Sequence, residues 1–172
     1  MAYEIAVCIK QVPDPQQFSK VKLDSKTGTI IRTGIPSVIN PLDLIALECA
    51  LSVKEKFGGK VTVVSMGPLQ AKDAAEIALA MGADEACLFS DRKFAGADSL
   101  VTAEILAKGL KEIADFDMIL CGDMAVDGAT GQVPAQLAEY MEYPHLTHVE
   151  ELEMQKNKVK LKTTREAGYG EY

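Results

Sequence analysis

Short apolar runs alternate with helical stripes along this chain, and that alternation constrains its fold more than any other feature. The runs are Glu4–Ile9 (EIAVCI), Lys60–Ser65 (KVTVVS), Glu85–Phe89 (EACLF) and Phe116–Cys121 (FDMILC). Each is apolar on both faces, the pattern of a strand buried from two sides. Between and after them, helices are expected over Pro41–Phe57, Leu69–Met81, Asp98–Ile113 and Gln132–Met141. The first carries an apolar stripe of Leu44, Ile45, Leu47, Ala50, Leu51 and Val53 and ends at Gly58-Gly59. Gly82 closes the second, and Asp98 or Ser99 caps the third. His145–Val149 is a candidate fifth strand. Strands of this kind separated by helices predict an α/β fold: an open, mostly parallel sheet with helices on both faces and right-handed crossovers.

Two stretches break the rhythm. Gln11–Asn40 is a long excursion rich in Pro, Asp, Thr and Gly, within which VKLD-SKTG-TIIR predicts a β-hairpin around Ser25–Gly28. A second hairpin is expected over residues 149–165, turning at Lys156-Asn157. With 172 residues the chain is long enough for one well-buried domain and short for two, so a single domain over residues 1–172 is expected. It stops at Gly168-Tyr169-Gly170-Glu171-Tyr172, just after a strand-like run, which suggests that further C-terminal structure is missing.

Composition removes several classes. A net charge of -7 leaves no basic concentration suited to nucleic acid. No apolar run approaches the roughly 18 residues of a membrane span, and MAYEIAVCIK lacks the features of a signal peptide. Cys8, Cys49, Cys87 and Cys121 are far apart in sequence, each in an apolar stretch, and read as buried, reduced thiols of a cytoplasmic protein. His145 and His148 have no nearby ligand set, so no metal is expected.

Open parallel sheets bind ligands beyond the carboxyl ends of their strands. Three such ends invite close approach: Cys8-Ile9-Lys10, Ser65-Met66-Gly67-Pro68 and Cys121-Gly122-Asp123. The last leads into CGDMAVDGATGQVPAQ, where Gly122, Gly128 and Gly131 permit backbone approaches that a Cβ would block, and Thr130, Gln132 and Val133 lie where a helix opens. Free N–H groups at a helix start suit an anionic phosphate. Two readings stand: a phosphate cradle, or a tight connection capped by Thr130. No GxxxxGK[ST], no GxGxxG after the first strand and no nucleophile–base pairing is present. For Asp84, Asp91, Asp98, Asp123 and Asp127, solvated caps and turns are the main reading. The residues alone describe a nucleotide-binding α/β domain with no assigned catalytic residue.

Five blocks in order over nearly the whole chain then resemble the β subunit of electron-transfer flavoproteins: INPLDLIALECAL (39–51), VVSMGP (63–68), ALAMGADEA (78–86), SDRKFAGADSLVTA (90–103) and CGDMAVDGATGQV (121–133). The resemblance implies a Rossmann-like sheet of the adenine nucleotide alpha hydrolase type, shared with universal stress proteins. It also implies a heterodimer with an α subunit that carries the electron-transferring FAD. The nucleotide of the β subunit is then expected against Cys8, Asn40, Pro41, Leu42, Asp43 and Met66. The loop Cys121, Gly122, Asp123, Met124, Ala125, Val126, Asp127, Gly128, Ala129 and Thr130 completes the site, with Gly131, Gln132 and Val133 beside it.

The short Asp127–Val133 stretch looks like that of the bifurcating and Fix-type members, which hold FAD there, whereas simple electron carriers hold AMP in a longer acidic loop. Gly131 and Pro134 differ from the Ala and Gly more frequent in the bifurcating pattern. Ser99 and Thr102 match hydroxyl positions near that flavin. In such members the β-site FAD takes a hydride from NADH. One electron passes to ferredoxin or flavodoxin, the other through the α-subunit FAD to an acyl-CoA dehydrogenase. The chain ends before the region that in the family holds the partner-recognition loop and C-terminal arm. The alternative is a non-redox AMP- or ATP-binding module on a fold like that of universal stress proteins.

Overall fold

The first strand lies inside the sheet, not at its edge, and its neighbours decide where a ligand could sit. The computed structural model describes residues 2–20, 22–23, 25, 30–31, 34–155, 158–165 and 168–172. In chain order its strands begin with β1 (Tyr3–Cys8), β2 (Gln11–Pro13), β3 (Lys22–Leu23), β4 (Ile30–Ile31) and β5 (Ser37–Ile39). Helix α1 (Pro41–Phe57) precedes β6 (Gly59–Met66), and α2 (Lys72–Met81) precedes β7 (Glu85–Phe89). Next come α3 (Ser99–Ile113), β8 (Met118–Cys121) and α4 (Val133–Met141). Strands β9 (Val149–Gln155), β10 (Lys158–Arg165) and β11 (Gly168–Glu171) close the chain.

The central sheet has the order β7-β6-β1-β8 and every pairing in it is parallel. Residues Ile5, Ala6 and Val7 of β1 are fully buried because strands flank them on both edges and helices cover both faces. Ile5, Val7, Val61 and Val63 face α1 and α2, through Leu47, Ala50, Ala74 and Ala78. Ala6, Cys8 and Val64 face α3 and α4, through Ala103, Leu106, Leu110 and Leu137. This is the expected doubly covered α/β sheet. β9, β10 and β11 form a separate antiparallel sheet, and Met154, Leu152 and Val159 pack it onto the α1 side of the core. Strands β3 and β4 pair antiparallel within the excursion; residues 26–28 of the turn expected around Ser25–Gly28, and the turn at Lys156-Asn157, lie outside the described residues.

The structure moves several boundaries. Leu69–Ala71 is a short 3-10 turn, and the α-helix starts at Lys72. Phe116 is buried in the core ahead of β8 instead of lying in it. His145–Val149 is not a fifth strand of the central sheet. Glu142 and His148 take left-handed backbone angles (φ 58° and 52°), which break an extended run at both ends, and Val149 opens the antiparallel sheet. No helix among the described residues is long and apolar enough to cross a membrane.

Candidate functional site at the β1–β8 crevice

From β1 the chain winds outward through β6 to β7, then returns to place β8 on the other side of β1. Strand order reverses there, so the connections after β1 and β8 diverge to opposite faces and leave a crevice at the carboxyl edge. Cys8 and Cys121, the last residues of the two strands, are register partners. Cys8 is pushed well above the ordinary thiol range, first by the neighbouring Cys121 thiol and then by burial and the adjacent charge of Cys121 and Asp43.

The start of α1 holds the crevice together. Asn40 is fully buried, and its extended backbone fits the residue before a proline. Its side chain does not cap α1. The amide Nδ2 donates to the carbonyl of Met124 at 2.9 Å, and Oδ1 accepts from the N–H of Val126 at 3.1 Å. Asn40 thus gives the loop the pair of bonds a neighbouring strand would supply. Its own N–H donates to the Lys10 carbonyl at 2.8 Å. Asp43, one turn further, accepts from the N–H of Lys10 at 2.7 Å at the end of β1, and its carboxylate lies against Gly122 at the end of β8. Burial raises Asp43 to about 6, against the opposing effects of the Asn40 amide, the backbone of Lys10 and Gly122 and the Lys10 charge.

Gly122 is required by this packing. A Cβ there would stand 2.3 Å from Asp43 Oδ1 and 2.7 Å from the backbone carbon of Leu42. Pro41 and Leu42 form the first turn of α1, directly against the strand end. Asp127 is not a solvated turn residue: its side chain is 5% exposed and pairs with Lys10 Nζ at 2.7 Å. Asp123 is more exposed and lies 3.2 Å from His148 Nδ1, a contact that ties the loop to the entrance of β9.

The far half of the loop turns back on itself. Ala125 accepts from the N–H groups of Gly128 and Ala129, and Ala129 and Gly131 adopt left-handed angles (φ 52° and 61°). Around Gly128 a Cβ would meet nothing within 4 Å, so no packing within the chain accounts for that glycine. Helix α4 begins at Val133 with Gln132 as its cap residue and no side-chain cap. Thr130 is not that cap; its Oγ1 only reaches the N–H of Gln132 at 3.5 Å. Helix α3 starts nearby, with Asp98 as the cap that accepts from Val101 N–H. Ser99 Oγ donates to Gln132 Oε1 at 3.1 Å, which joins the starts of α3 and α4. Thr102 Oγ1 donates to the Asp98 carbonyl. Met66, Cys121 and Val133 pack against the α3–α4 side of the core, as does Cys8.

The fold therefore gathers the expected residues at one edge, in two groups. Asn40, Pro41, Leu42 and Asp43 lie behind the loop and position it. Cys8, Met66, Ser99, Thr102, Cys121, Gln132 and Val133 lie on the α3–α4 side. Lys10, marked in the sequence only as the end of the first strand, and His148, marked by no motif, join the site. Their partners, Asp127 and Asp123, are charged residues in a loop, the only trace the sequence carries of these pairs. An uncapped helix start, the left-handed Gly131 and the open space at Gly128 fit a phosphate-bearing ligand held by backbone N–H groups. No group of three or more His, Cys, Asp or Glu suited to a metal ion occurs among the described residues.

Residues 27–171 match the electron transfer flavoprotein domain. The chain is 49% identical over 165 residues to an electron transfer flavoprotein subunit beta of Thermoanaerobacterium thermosaccharolyticum, covering 96% of this chain and 62% of that one. It is 47% identical over 166 residues to the caffeyl-CoA reductase-Etf complex subunit CarD of Acetobacterium woodii, with 96% and 62% covered. It is 47% identical over 146 residues to protein FixA of Azotobacter vinelandii, with 83% and 51% covered. The chain thus spans about 62% of the length of the first two of these curated relatives.

Proposed function

The chain belongs to the electron transfer flavoprotein domain family, and from that premise we propose that it acts as the β subunit of a heterodimeric electron carrier, a single nucleotide-binding α/β domain over residues 1–172. The observation that carries this reading is the loop after β8, clamped by Asn40 and leading into an uncapped helix at a strand-order reversal.

The proposed nucleotide is FAD in preference to AMP. The short Asp127–Val133 loop supports this choice, as does similarity to FixA proteins and to a subunit named for a caffeyl-CoA reductase complex. When bound, the flavin supplies the hydride- and electron-accepting chemistry. The chain's own part is binding and orientation. The N–H groups at the start of α4 are proposed to face the pyrophosphate, where they and the helix dipole favour negative charge. Cys8, Met66 and Cys121 provide the floor. Ser99 and Thr102 are the hydroxyls available to polar edges of the ligand. Asn40, Asp43 and Lys10 hold the loop in place.

The proposed donor is NADH. The proposed acceptors are ferredoxin or flavodoxin and, through the FAD of an α subunit, an acyl-CoA dehydrogenase-type partner. The proposed location is the cytoplasm. The test is co-expression with the α subunit, purification, and a count of nucleotides after acid release. Two FAD per heterodimer, bleached rapidly by NADH, is the expected result. One FAD and one AMP would identify a simple carrier, and an absence of nucleotide would overturn the reading.

A further inference from the structure

We propose that Cys8 and Cys121 form a dithiol modification site at the carboxyl edge of the sheet, which hydrogen peroxide closes to an intramolecular cross-strand disulfide. The parallel register places the two residues side by side at the ends of β1 and β8. Adjacent strands stand about 4.8 Å apart, within the roughly 4.4–6.8 Å Cα range that a disulfide spans. Both side chains lie on the α3–α4 side of the sheet.

The other two cysteines cannot compete for either partner. Cys87 stands in the same row across the sheet, but Val64 of β6 occupies the place between it and Cys8. Two strand spacings, about 9.6 Å, put that pair beyond reach. Cys49 is on α1, and its own thiol is pushed upward by burial. Only the Cys8–Cys121 pair has a neighbour of its own kind.

Exposure sets the order of events. Cys8 is 8% exposed, whereas Cys121 is only partly buried and opens onto the loop. Cys121 sulfur attacks one peroxide oxygen, the O–O bond breaks, and the departing hydroxide leaves as water with the Cys121 proton. The resulting sulfenic acid is then attacked by Cys8 sulfur. The S–S bond forms, the S–O bond breaks, and the second hydroxide leaves with the Cys8 proton as water. Two thiols supply the two electrons that reduce one peroxide.

The pair floors the proposed nucleotide crevice, so its link to the ligand rests on that reading, while the dithiol itself does not. The experiment treats the full chain, as wild type and as Cys49→Ser/Cys87→Ser, with hydrogen peroxide. Free thiols are counted and cysteine peptides mapped under non-reducing conditions. Loss of two thiols per chain, a linked Cys8–Cys121 peptide in a monomer and recovery with dithiothreitol are expected in both proteins. Persistence of all thiols, over-oxidation of Cys121 with Cys8 free, or links between chains would overturn the proposal. Wild-type mapping decides the matter if the double variant does not fold. A repeat with FAD bound, its occupancy measured separately, is expected to slow closure at least tenfold. Closure at an unchanged rate would support the dithiol and count against the location of the nucleotide.

Discussion

Asn40 and Met124 are joined across 84 residues by a hydrogen bond from the Asn40 amide to the Met124 carbonyl, and the same amide accepts from Val126. A fully buried side chain is thereby spent on holding the loop and not on capping the helix it precedes. Replacing Asn40 by Ala leaves both loop groups unpaired, at a cost of about 2–4 kcal/mol. Asn40→Asp keeps the bond to Val126 but sets an acceptor against the Met124 carbonyl, so it should not rescue. Thermal melts and amide exchange at residue 126 measure both effects, and nucleotide affinity should fall at least tenfold in each variant.

Two glycines of one loop should respond in opposite ways. Gly122→Ala forces a Cβ into Asp43 and the α1 backbone and should destabilise by about 1–3 kcal/mol or more. Gly128→Ala meets open space in the chain, so its melting should stay within about 0.5 kcal/mol of the parent. Its nucleotide affinity should nevertheless drop at least tenfold, because the methyl group would occupy the phosphate approach. Unaltered affinity in a folded Gly128→Ala protein would remove the cradle.

Asp43 gives a pH dependence of unusual sign. Its folded value, about 6, lies above the ordinary 3.8. Between those values the folded chain binds more protons than the unfolded one, so stability from this group falls as pH rises from about 4 to 6. The contribution is on the order of 3 kcal/mol across the window. Urea melts of the parent and of Asp43→Asn at several pH values isolate it. The parent should gain relative to the variant as pH drops from 6 to 4, and a flat difference would contradict the assignment.

The Lys10–Asp127 pair joins a half-exposed cation to a buried carboxylate. Lys10→Met should cost about 1–2 kcal/mol, discounted for the exposure of the lysine. Adding Asp127→Asn removes the buried carboxylate's charge and should recover part of that loss. A double-mutant cycle by chemical denaturation reads the coupling, and additive losses would show that the pair contributes nothing.

The sheet was legible because its strands are apolar on both faces, as in EIAVCI, and its helices carry stripes such as Leu47, Ala50, Leu51 and Val53; Ile45, read into that stripe, is instead 66% exposed. Element ends were less so. Nothing local distinguishes a 3-10 turn at Leu69 from the first turn of α2, and the left-handed His148 has none of the glycine that usually marks such a break. At the site, the glycines and helix start of CGDMAVDGATGQV were readable. The role of Asn40 was not: the resemblance places it against the nucleotide, whereas its side chain bonds the Met124 carbonyl and the Val126 N–H, contacts 84 and 86 residues away that no local pattern encodes. The meeting of Cys8 with Cys121, and of Lys10 with Asp127, depends on strand order, which no short-range pattern encodes.

The clamp on the loop also fixes when binding competence can arise. Its parts come from residues 10, 40, 43 and 122–127; the Lys10–Asp43 bond can form within the first part of the chain, but the bonds of Asn40 and Lys10 to the loop exist only once β8 has inserted beside β1. Contacts of such long sequence separation carry the largest loop-closure cost and form slowly. During synthesis, β1, α1 and β6 can assemble early, while the crevice waits for residues up to Asp127 to emerge. The proposed capture of a nucleotide therefore follows the docking of β8 on β1, and would report whether the sheet has closed.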